Sequence, residues 1–314
     1  MTSVSTPRAI ALFLIVASAG ATAAVTIGAQ PTPSGPEIHH IHGLAIDRQD
    51  PEVVYIATHT GLVRLRPNAA AEWIGEQRFD LMGFTAHPQN ADVVYASGHP
   101  DLQTYAREKV GNLGLLVSRD RGKTWQSVAL TGHADFHALT YSPREGGQLF
   151  GWSVTGQVGL YRISATSWKV ERLAARGLSD GLSLSASPAR DGPLLAGTTT
   201  GLRISRDGGL TWRGVVGFPD GAVTAVSYHV SNARHVYAYV HRTDGGLMRS
   251  TDAGITWSRS AATSGAETPV VALAVGPGEH VVTATARADV ARSRDGGRTW
   301  EALVRGGRPV ARGG

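Results

Sequence analysis

Histidine is the residue type in this chain that is best suited to chemistry. Twelve of the 314 residues are histidines, and seven of them fall where predicted β-strands begin or end. Imidazole is a common ligand for zinc and copper, so three or four converging histidines would form a transition-metal site. The chain has no compact motif such as H-E-x-x-H, so a polar rim of ligand-binding or structural histidines is the alternative interpretation. The candidate ligands for a divalent transition metal are His42, His59 and His99.

A wider set of residues is expected to bind a ligand at the same place. Some histidines follow the second strand of a predicted repeat, and others lie at the start of a first strand, where alternation puts His40 and His42 on one side. An irregular insertion runs from His99 to Asn112, and long loops on a rigid scaffold often carry function. The predicted ligand-binding residues are His40, His42, His59, His99, His137, His241 and Tyr105.

Carboxylates in the same regions raise the possibility of hydrolysis. Glycoside hydrolases use two carboxyl groups that stand about 5–9 Å apart. Asp80, Asp101 and Asp135 are the carboxylates expected near the histidines. Of these, Asp101 and Asp135 are the catalytic candidates.

A repeated element must position these side chains. The phrase Ser-x-Asp-x-Gly-x-Thr-Trp occurs four times, at intervals of about 43 residues or twice that distance. Its aspartate can accept hydrogen bonds from backbone N–H groups, its glycine permits a positive φ, and its tryptophan adds apolar surface to the next strand. The phrase therefore predicts a structural β-hairpin. The paired residues are Asp120 and Trp125, Asp207 and Trp212, Asp252 and Trp257, and Asp295 and Trp300.

The phrase resembles the Asp-box, also called the bacterial neuraminidase repeat. Asp-box proteins are β-propellers, and they include sialidases, other glycoside hydrolases, sortilin-like receptors and photosystem assembly factors. The resemblance implies a scaffold and leaves the chemistry open. The Phe/Tyr-Arg-Ile-Pro segment of sialidases is absent, since the matching region reads His-His-Ile-His-Gly-Leu, and no arginine triad is evident. Sialidase activity is therefore not expected, although the chain resembles exported Asp-box proteins that are labelled glycosyl hydrolases.

The repeats predict the fold and its limits. Each repeat should hold four short strands, and six repeats fit between residues 38 and 304. The expected fold is all-β, a six-bladed β-propeller of four-stranded antiparallel blades with Asp-box hairpins. The third unit has a shortened turn but keeps Trp168. Residues 305–314 are expected to form a C-terminal tail.

The N-terminus predicts export. Arg8 precedes an apolar run that ends in small residues, so residues 1–29 are expected to be a signal peptide or an uncleaved membrane anchor. Residues 30–37 are rich in proline and form a linker. The propeller is accordingly expected to be secreted or extracytoplasmic, with contact to a membrane only through this N-terminal segment.

Composition excludes several classes of function. The chain has no cysteine, which excludes disulfides and thiolate chemistry. The net charge of +5 is dispersed, with no long run of lysine and arginine, which argues against a nucleic-acid surface.

Three functions stay open from the sequence. The leading hypothesis is an exported propeller that binds a ligand, a metal or a glycan, at a histidine-rich face opposite the Asp-boxes. The second is a non-sialidase glycoside hydrolase that uses aspartate or glutamate on that face. The third is an assembly or scaffolding factor that binds another exported protein.

Overall fold

The computed structural model describes residues 35–67, 69–260 and 268–310, and the predicted leader of residues 1–29 lies outside this part of the chain. The described residues form six antiparallel sheets in chain order. The first strands of successive sheets contact each other around a closed ring, which ends with the sixth sheet against the first. The predicted all-β, six-bladed propeller is therefore confirmed.

The first three blades have these bounds. Blade one contains β1 (Ile41–Ile46), β2 (Val54–Thr58), β3 (Gly61–Leu65) and β4 (Glu72–Ile74). Blade two contains β5 (Asp80–Ala86), β6 (Val94–His99), β7 (Leu115–Ser118) and β8 (Gln126–Ala129). Blade three contains β9 (Phe136–Ser142), β10 (Gln148–Ser153), β11 (Gly159–Ser164) and β12 (Val170–Arg172).

The last three blades follow the same plan. Blade four contains β13 (Ser183–Ala186), β14 (Leu194–Thr198), β15 (Gly201–Ser205) and β16 (Arg213–Gly214). Blade five contains β17 (Ala222–Tyr228), β18 (Val236–His241), β19 (Gly246–Ser250) and β20 (Ser258–Arg259). Blade six contains β21 (Val270–Val275), β22 (Val281–Thr285), β23 (Val290–Ser293), β24 (Glu301–Arg305) and β25 (Arg308–Pro309). A helix, α1 (Leu102–Glu108), interrupts blade two.

The hydrophobic core is divided among the interfaces between blades. Nearly every residue of the second strands is buried, as in Val281–Thr285, because each second strand packs against a neighbouring blade on each face. Six clusters of buried side chains fill the six interfaces. Each blade is therefore held by its two neighbours.

The Asp-box hairpins join the third and fourth strands of four blades. In blade four, Asp207 accepts hydrogen bonds from the backbone N–H groups of Leu210 and Thr211, at 3.1 and 3.0 Å. Ser205 accepts a hydrogen bond from the N–H of Gly209, whose φ of 91° suits glycine. The Trp212 indole donates to the Gly209 carbonyl at 3.0 Å and is buried. The predicted structural role of the phrase is thereby confirmed.

The ring closes by packing between blade one and blade six. All strands of blade one come from the N-terminal part and all strands of blade six from the C-terminal part, so no sheet formed by the described residues contains strands from both parts. Ile38 is fully buried at this seam, and its N–H donates to the Gly307 carbonyl at 2.9 Å. Gly306 and Gly307 have positive φ and turn the chain back to form β25, so the last blade extends beyond the predicted limit at residue 304.

The single helix found among the described residues is short, and none of those residues forms a helix long and apolar enough to cross a membrane.

Candidate functional site

The two faces of the propeller are built differently. The Asp-box turns lie beside the loops that join first and second strands, as shown by the hydrogen bond of 2.9 Å from the Arg121 N–H to the Asp92 carbonyl. The opposite face, here called the mouth face, carries the starts of the first strands and the loops between second and third strands. His59, Asp80 and His99 lie on the mouth face.

A first cluster on the mouth face consists of His42, His59 and Asp80. His42 lies at a β-bulge in β1, where the pairing with β2 shifts, and His59 follows the end of β2. Asp80 is the first residue of β5 in the next blade. The His42 Nε2 atom lies 3.3 Å from one Asp80 oxygen, and the His59 Nδ1 atom lies 3.0 Å from the other.

The first cluster has the spacing of metal ligands. All three donor atoms lie within 4.8 Å of one another. Both His42 Nε2 and Asp80 Oδ1 are buried without a hydrogen-bond partner in the described part of the chain. Donors around a tetrahedral ion with bonds of about 2.1 Å stand roughly 3.4 Å apart, so an ion fits this spacing.

Glycine permits the close approach of the strands that carry the first cluster. Asp80 and His99 are direct partners across β5 and β6. Gly98 has a φ of 129°, and a Cβ there would lie 1.7 Å from the Asp80 carbonyl oxygen. A larger residue at this position would push Asp80 away from the histidines.

A second cluster one blade further consists of His99, Asp135 and His137. Asp135 lies just before β9 and is buried, with 2 % of its side chain exposed. One of its oxygens lies 2.8 Å from His137 Nε2 and 3.4 Å from His99 Nε2. The other oxygen is buried without a hydrogen-bond partner among the described residues.

In the second cluster, the carboxylate and the imidazoles stabilise each other's charged forms. Burial by itself would raise the pKa of Asp135, but the contacts with His137 and His99 outweigh burial and hold that pKa well below its usual range. The Asp135 carboxylate raises the pKa of His99 to about 9 against the effect of burial, and the Gly111 carbonyl adds to the increase. In the absence of a metal, His99 is therefore an imidazolium at neutral pH.

Of the predicted metal set of His42, His59 and His99, the structure groups His42 and His59 with Asp80, and it places His99 beside Asp135. Asp80 takes the place of His99 as the third member of the first group. The reason is local. His99 Nδ1 is hydrogen-bonded to the Gly111 carbonyl at 2.9 Å, and in this ring orientation Nε2 lies near Asp135. The sequence signal for Asp80 is its place at the start of a first strand, which matches that of Asp135.

The other predicted ligand residues are dispersed. His40 has a φ of 48° just before β1, and its ring centre lies 5.7 Å from that of His59, at the edge of the first cluster. The bulge in β1 breaks the simple alternation that was expected for His40 and His42. His241 is exposed at the end of β18 in blade five and belongs to neither cluster.

Neither catalytic candidate has the setting of a general acid. Asp101 is the N-cap of α1 and accepts hydrogen bonds from the N–H groups of Thr104 and Arg78, at 2.8 and 3.2 Å. These bonds outweigh the effect of burial and lower the pKa of Asp101. Asp135 is buried beneath two imidazoles. Tyr105 is half-exposed on α1 and is not part of the groove wall.

An open groove of about 620 Å³ adjoins the first cluster between blades one and two. His59, Asp80 and His99 form its inner side, and Pro100 to Gln103 form the side next to α1. Arg78 also contributes, with its guanidinium stacked on Trp73 at 4.9 Å. A small ligand could therefore reach the first cluster from solvent.

Comparisons with known proteins identify the repeat and the fold. A model of the BNR/Asp-box repeat matches residues 248–259. A comparison with curated protein sequences finds no significant match.

Several solved structures share the architecture. A GH74 enzyme from Niastella koreensis superimposes with a TM-score of 0.60, at 18% identity, over 86% of this chain and 46% of that one. A GH74 xyloglucanase from Xanthomonas campestris gives a TM-score of 0.52, at 21% identity, over 85% and 46%. The chain thus spans a little under half the length of these enzymes.

A structure described as YCF48 bound to D1 peptide gives a TM-score of 0.50, at 15% identity, over 86% of this chain and 84% of that one. At these identities the likeness concerns the fold alone. The chain is therefore a six-bladed β-propeller with BNR/Asp-box repeats, and its structural neighbours are GH74 enzymes and related propellers.

Proposed function

We propose that this chain is an exported propeller that binds a divalent transition-metal ion on its mouth face, through His42, His59 and Asp80. The observation that carries the proposal is the position of three potential donor atoms within 4.8 Å of one another, drawn from two blades. Export rests on the predicted leader at residues 1–29.

The chemistry of the donors favours zinc, copper or nickel over calcium or magnesium. Two imidazoles and one carboxylate suit transition metals, whereas calcium and magnesium prefer sites made of oxygen donors. Three protein ligands leave at least one coordination position open. The groove beside His59 and Asp80 would give a small ligand or water access to that position.

Metal binding to the full chain tests the proposal. The protein, stripped with a chelator, is titrated with Zn²⁺ and with Cu²⁺ by calorimetry, and bound metal is measured after desalting. His42→Ala or Asp80→Asn should lower the affinity of the first cluster for the ion by about 100-fold or more, because each of these side chains supplies one of the three protein ligands. The matched control is His241→Ala, since His241 ends the second strand of blade five as His59 follows that of blade one.

Retention of full affinity in both His42→Ala and Asp80→Asn would overturn the proposal. Equal weakening in His241→Ala would also count against it, because the binding would then be a general property of exposed histidines.

The glycoside hydrolase alternative has weaker support. The GH74 structures resemble this chain in fold at 18% and 21% identity, which does not extend to their reaction. Asp101 holds a helix terminus and Asp135 is buried under imidazoles. Release of product from a panel of aryl glycosides by the purified protein would support this alternative.

The third hypothesis, binding of another exported protein, has one supporting observation. Leu102 on α1 is 87% exposed and Val216, in the connection from blade four to blade five, is 91% exposed, and both lie on the mouth face. Pull-down from a native envelope, with Leu102→Ser as comparison, tests this alternative.

A further inference from the structure

The donor set of the first cluster recurs one blade further. Both clusters contain two imidazoles and one aspartate. His59 and His99 are equivalent residues at the end of a second strand, and Asp80 and Asp135 are equivalent residues at the start of a first strand. The third member has a different origin in the two clusters, because His42 lies at the bulge of β1 in the blade of His59, whereas His137 lies at the corresponding bulge of β9 in the blade of Asp135. The two clusters therefore lie at successive blade interfaces.

The buried carboxylate of the second cluster lacks a partner for one oxygen. Asp135 has 2 % of its side chain exposed, and its Oδ1 atom has no hydrogen-bond partner in the described residues. A buried carboxylate oxygen without a partner is costly. A cation bound through both oxygens of Asp135 would remove that cost, since Oδ2 already faces the two imidazoles.

His99 is oriented as metal-binding histidines commonly are. Its Nδ1 atom is bonded to the Gly111 carbonyl at 2.9 Å, which leaves Nε2 to face Asp135. A ligating histidine usually donates its other N–H to a carbonyl or carboxylate in this way. The insertion that contains α1 supplies this carbonyl and is thus a support for the second cluster.

We propose that His99, Asp135 and His137 form a second site for a divalent transition-metal ion, one blade away from the first. The inference rests on the proposed function, since it assigns the same class of ligand to the neighbouring blade interface.

The second site should be weaker than the first. Among the described residues, only the first cluster already has three donors within 4.8 Å. The ring of His99 or His137 must turn to enclose an ion, and both side chains are 41% exposed and so have room to do so.

Metal stoichiometry of the full chain tests the second site. The chelator-treated protein is titrated with Zn²⁺ by calorimetry, and Co²⁺ spectra report the coordination of each equivalent. The wild type should bind two equivalents, the second more weakly. His137→Gln and His99→Ala should each lose the weaker equivalent and keep the tighter one. The control is His133→Ala, which removes an exposed histidine outside both clusters, and thermal unfolding confirms that each variant is folded.

The outcomes separate the two proposals. If the wild type binds one metal ion per chain and only His42→Ala or Asp80→Asn loses it, the second site is overturned and the first is supported. If the wild type binds one metal ion per chain and only His137→Gln and His99→Ala lose it, the first site is overturned and the second is supported. No bound metal overturns both.

Discussion

Histidines take different roles at the two ends of the innermost strands. At the Asp-box end, His87 and His229 each accept two backbone N–H groups at their Nδ1 atoms, at 3.1–3.2 Å. Asp47 occupies the same position in blade one and accepts N–H groups in the same way. These two histidines therefore replace an aspartate as turn caps, whereas the mouth histidines meet carboxylates.

The ionisation of His99 gives a prediction about pH. The raised pKa of about 9 in the folded state exceeds the usual value near 6.5. The stability that this group contributes is thus fully present below about pH 6.5 and is lost as the pH rises through about 9. NMR titration of the metal-free protein should show the high pKa, and urea unfolding should show lower stability at pH 9.5 than at pH 6.

The matched variant for this prediction is Asp135→Asn, which keeps the shape of the side chain and removes its charge. The pKa of His99 should fall in this variant because its largest cause is gone. A His99 pKa that is unchanged in Asp135→Asn would show that the carboxylate is not the cause.

At the scale of the element, the Asp-box hairpin is self-contained. Its hydrogen bonds run between the serine, aspartate, glycine and threonine of the same turn, as in Ser250 to Thr256. The third blade shows how much of the turn can be lost. There Ser164 still accepts backbone N–H groups, and the partly buried Trp168 still packs against the core, without an aspartate.

Removal of an Asp-box carboxylate should affect stability alone. Asp207→Ala removes the acceptor of the Leu210 and Thr211 N–H groups, which are exposed and can bond to water instead, so the free energy of unfolding should fall by about 0.5–1.5 kcal/mol. Zn²⁺ affinity should not change, because the turn lies on the face opposite the clusters. Chemical denaturation and calorimetry measure the two quantities, and Asp191→Ala, at an exposed aspartate of the same region, serves as control. Loss of Zn²⁺ binding in a folded Asp207→Ala protein would contradict the separation of the two faces.

The insertion of blade two is the element that links scaffold and site. Asp101 caps α1 and also binds the Arg78 N–H, so the helix is tied to the connection between blades one and two. Asn112 donates to Thr155 of blade three at 3.3 Å. The insertion thus contacts residues at two blade interfaces. Its Gly111 carbonyl is hydrogen-bonded to the His99 ring.

At the scale of the whole molecule, charged residues reinforce the seam between blade six and blade one. Arg292 is 1% exposed and lies 3.0 Å from the Glu52 carboxylate, while Arg294 binds both oxygens of Glu52 at 2.7 Å. The hydrogen bond from Arg294 lowers the pKa of Glu52 to about 2, against the effect of burial. Glu52 therefore connects the two ends of the described chain through a charged contact.

Neutralising Glu52 should destabilise the closed ring. Glu52→Gln should lower the free energy of unfolding by about 1.5–3 kcal/mol at pH 7, because charge-assisted hydrogen bonds to two arginines are weakened. Since the folded-state pKa of Glu52 is depressed to about 2, its contribution is present above about pH 4.5 and is lost as the pH falls towards 2. Urea unfolding across this range measures both effects.

Glu37→Gln provides the control at the same seam, because Glu37 is 65% exposed and 4.0 Å from Arg308. Equal destabilisation by Glu37→Gln and Glu52→Gln would show that the burial of Arg292 is unimportant to closure.

The predictions from sequence succeed where the interaction is local. The Asp-box residues lie within eight positions of one another, so the repeat revealed the turn, the blade length and the number of blades. The end of the last blade was placed too early, because pairing of β25 depends on a turn at Gly306 and Gly307 that carries no repeat signal.

The amino-acid sequence was sufficient to predict the scaffold, because each hairpin is stabilised within its own turn and because copies at a regular spacing must stack side by side. It also placed histidines and aspartates on the mouth face, since strand direction alone sets the face. The grouping of those side chains required three dimensions: a bulge in β1 directs His42, the contact of two blades brings Asp80 to His59, and the insertion helps orient His99 towards Asp135. Distances between residues of different blades follow from packing, which the spacing along the chain does not encode.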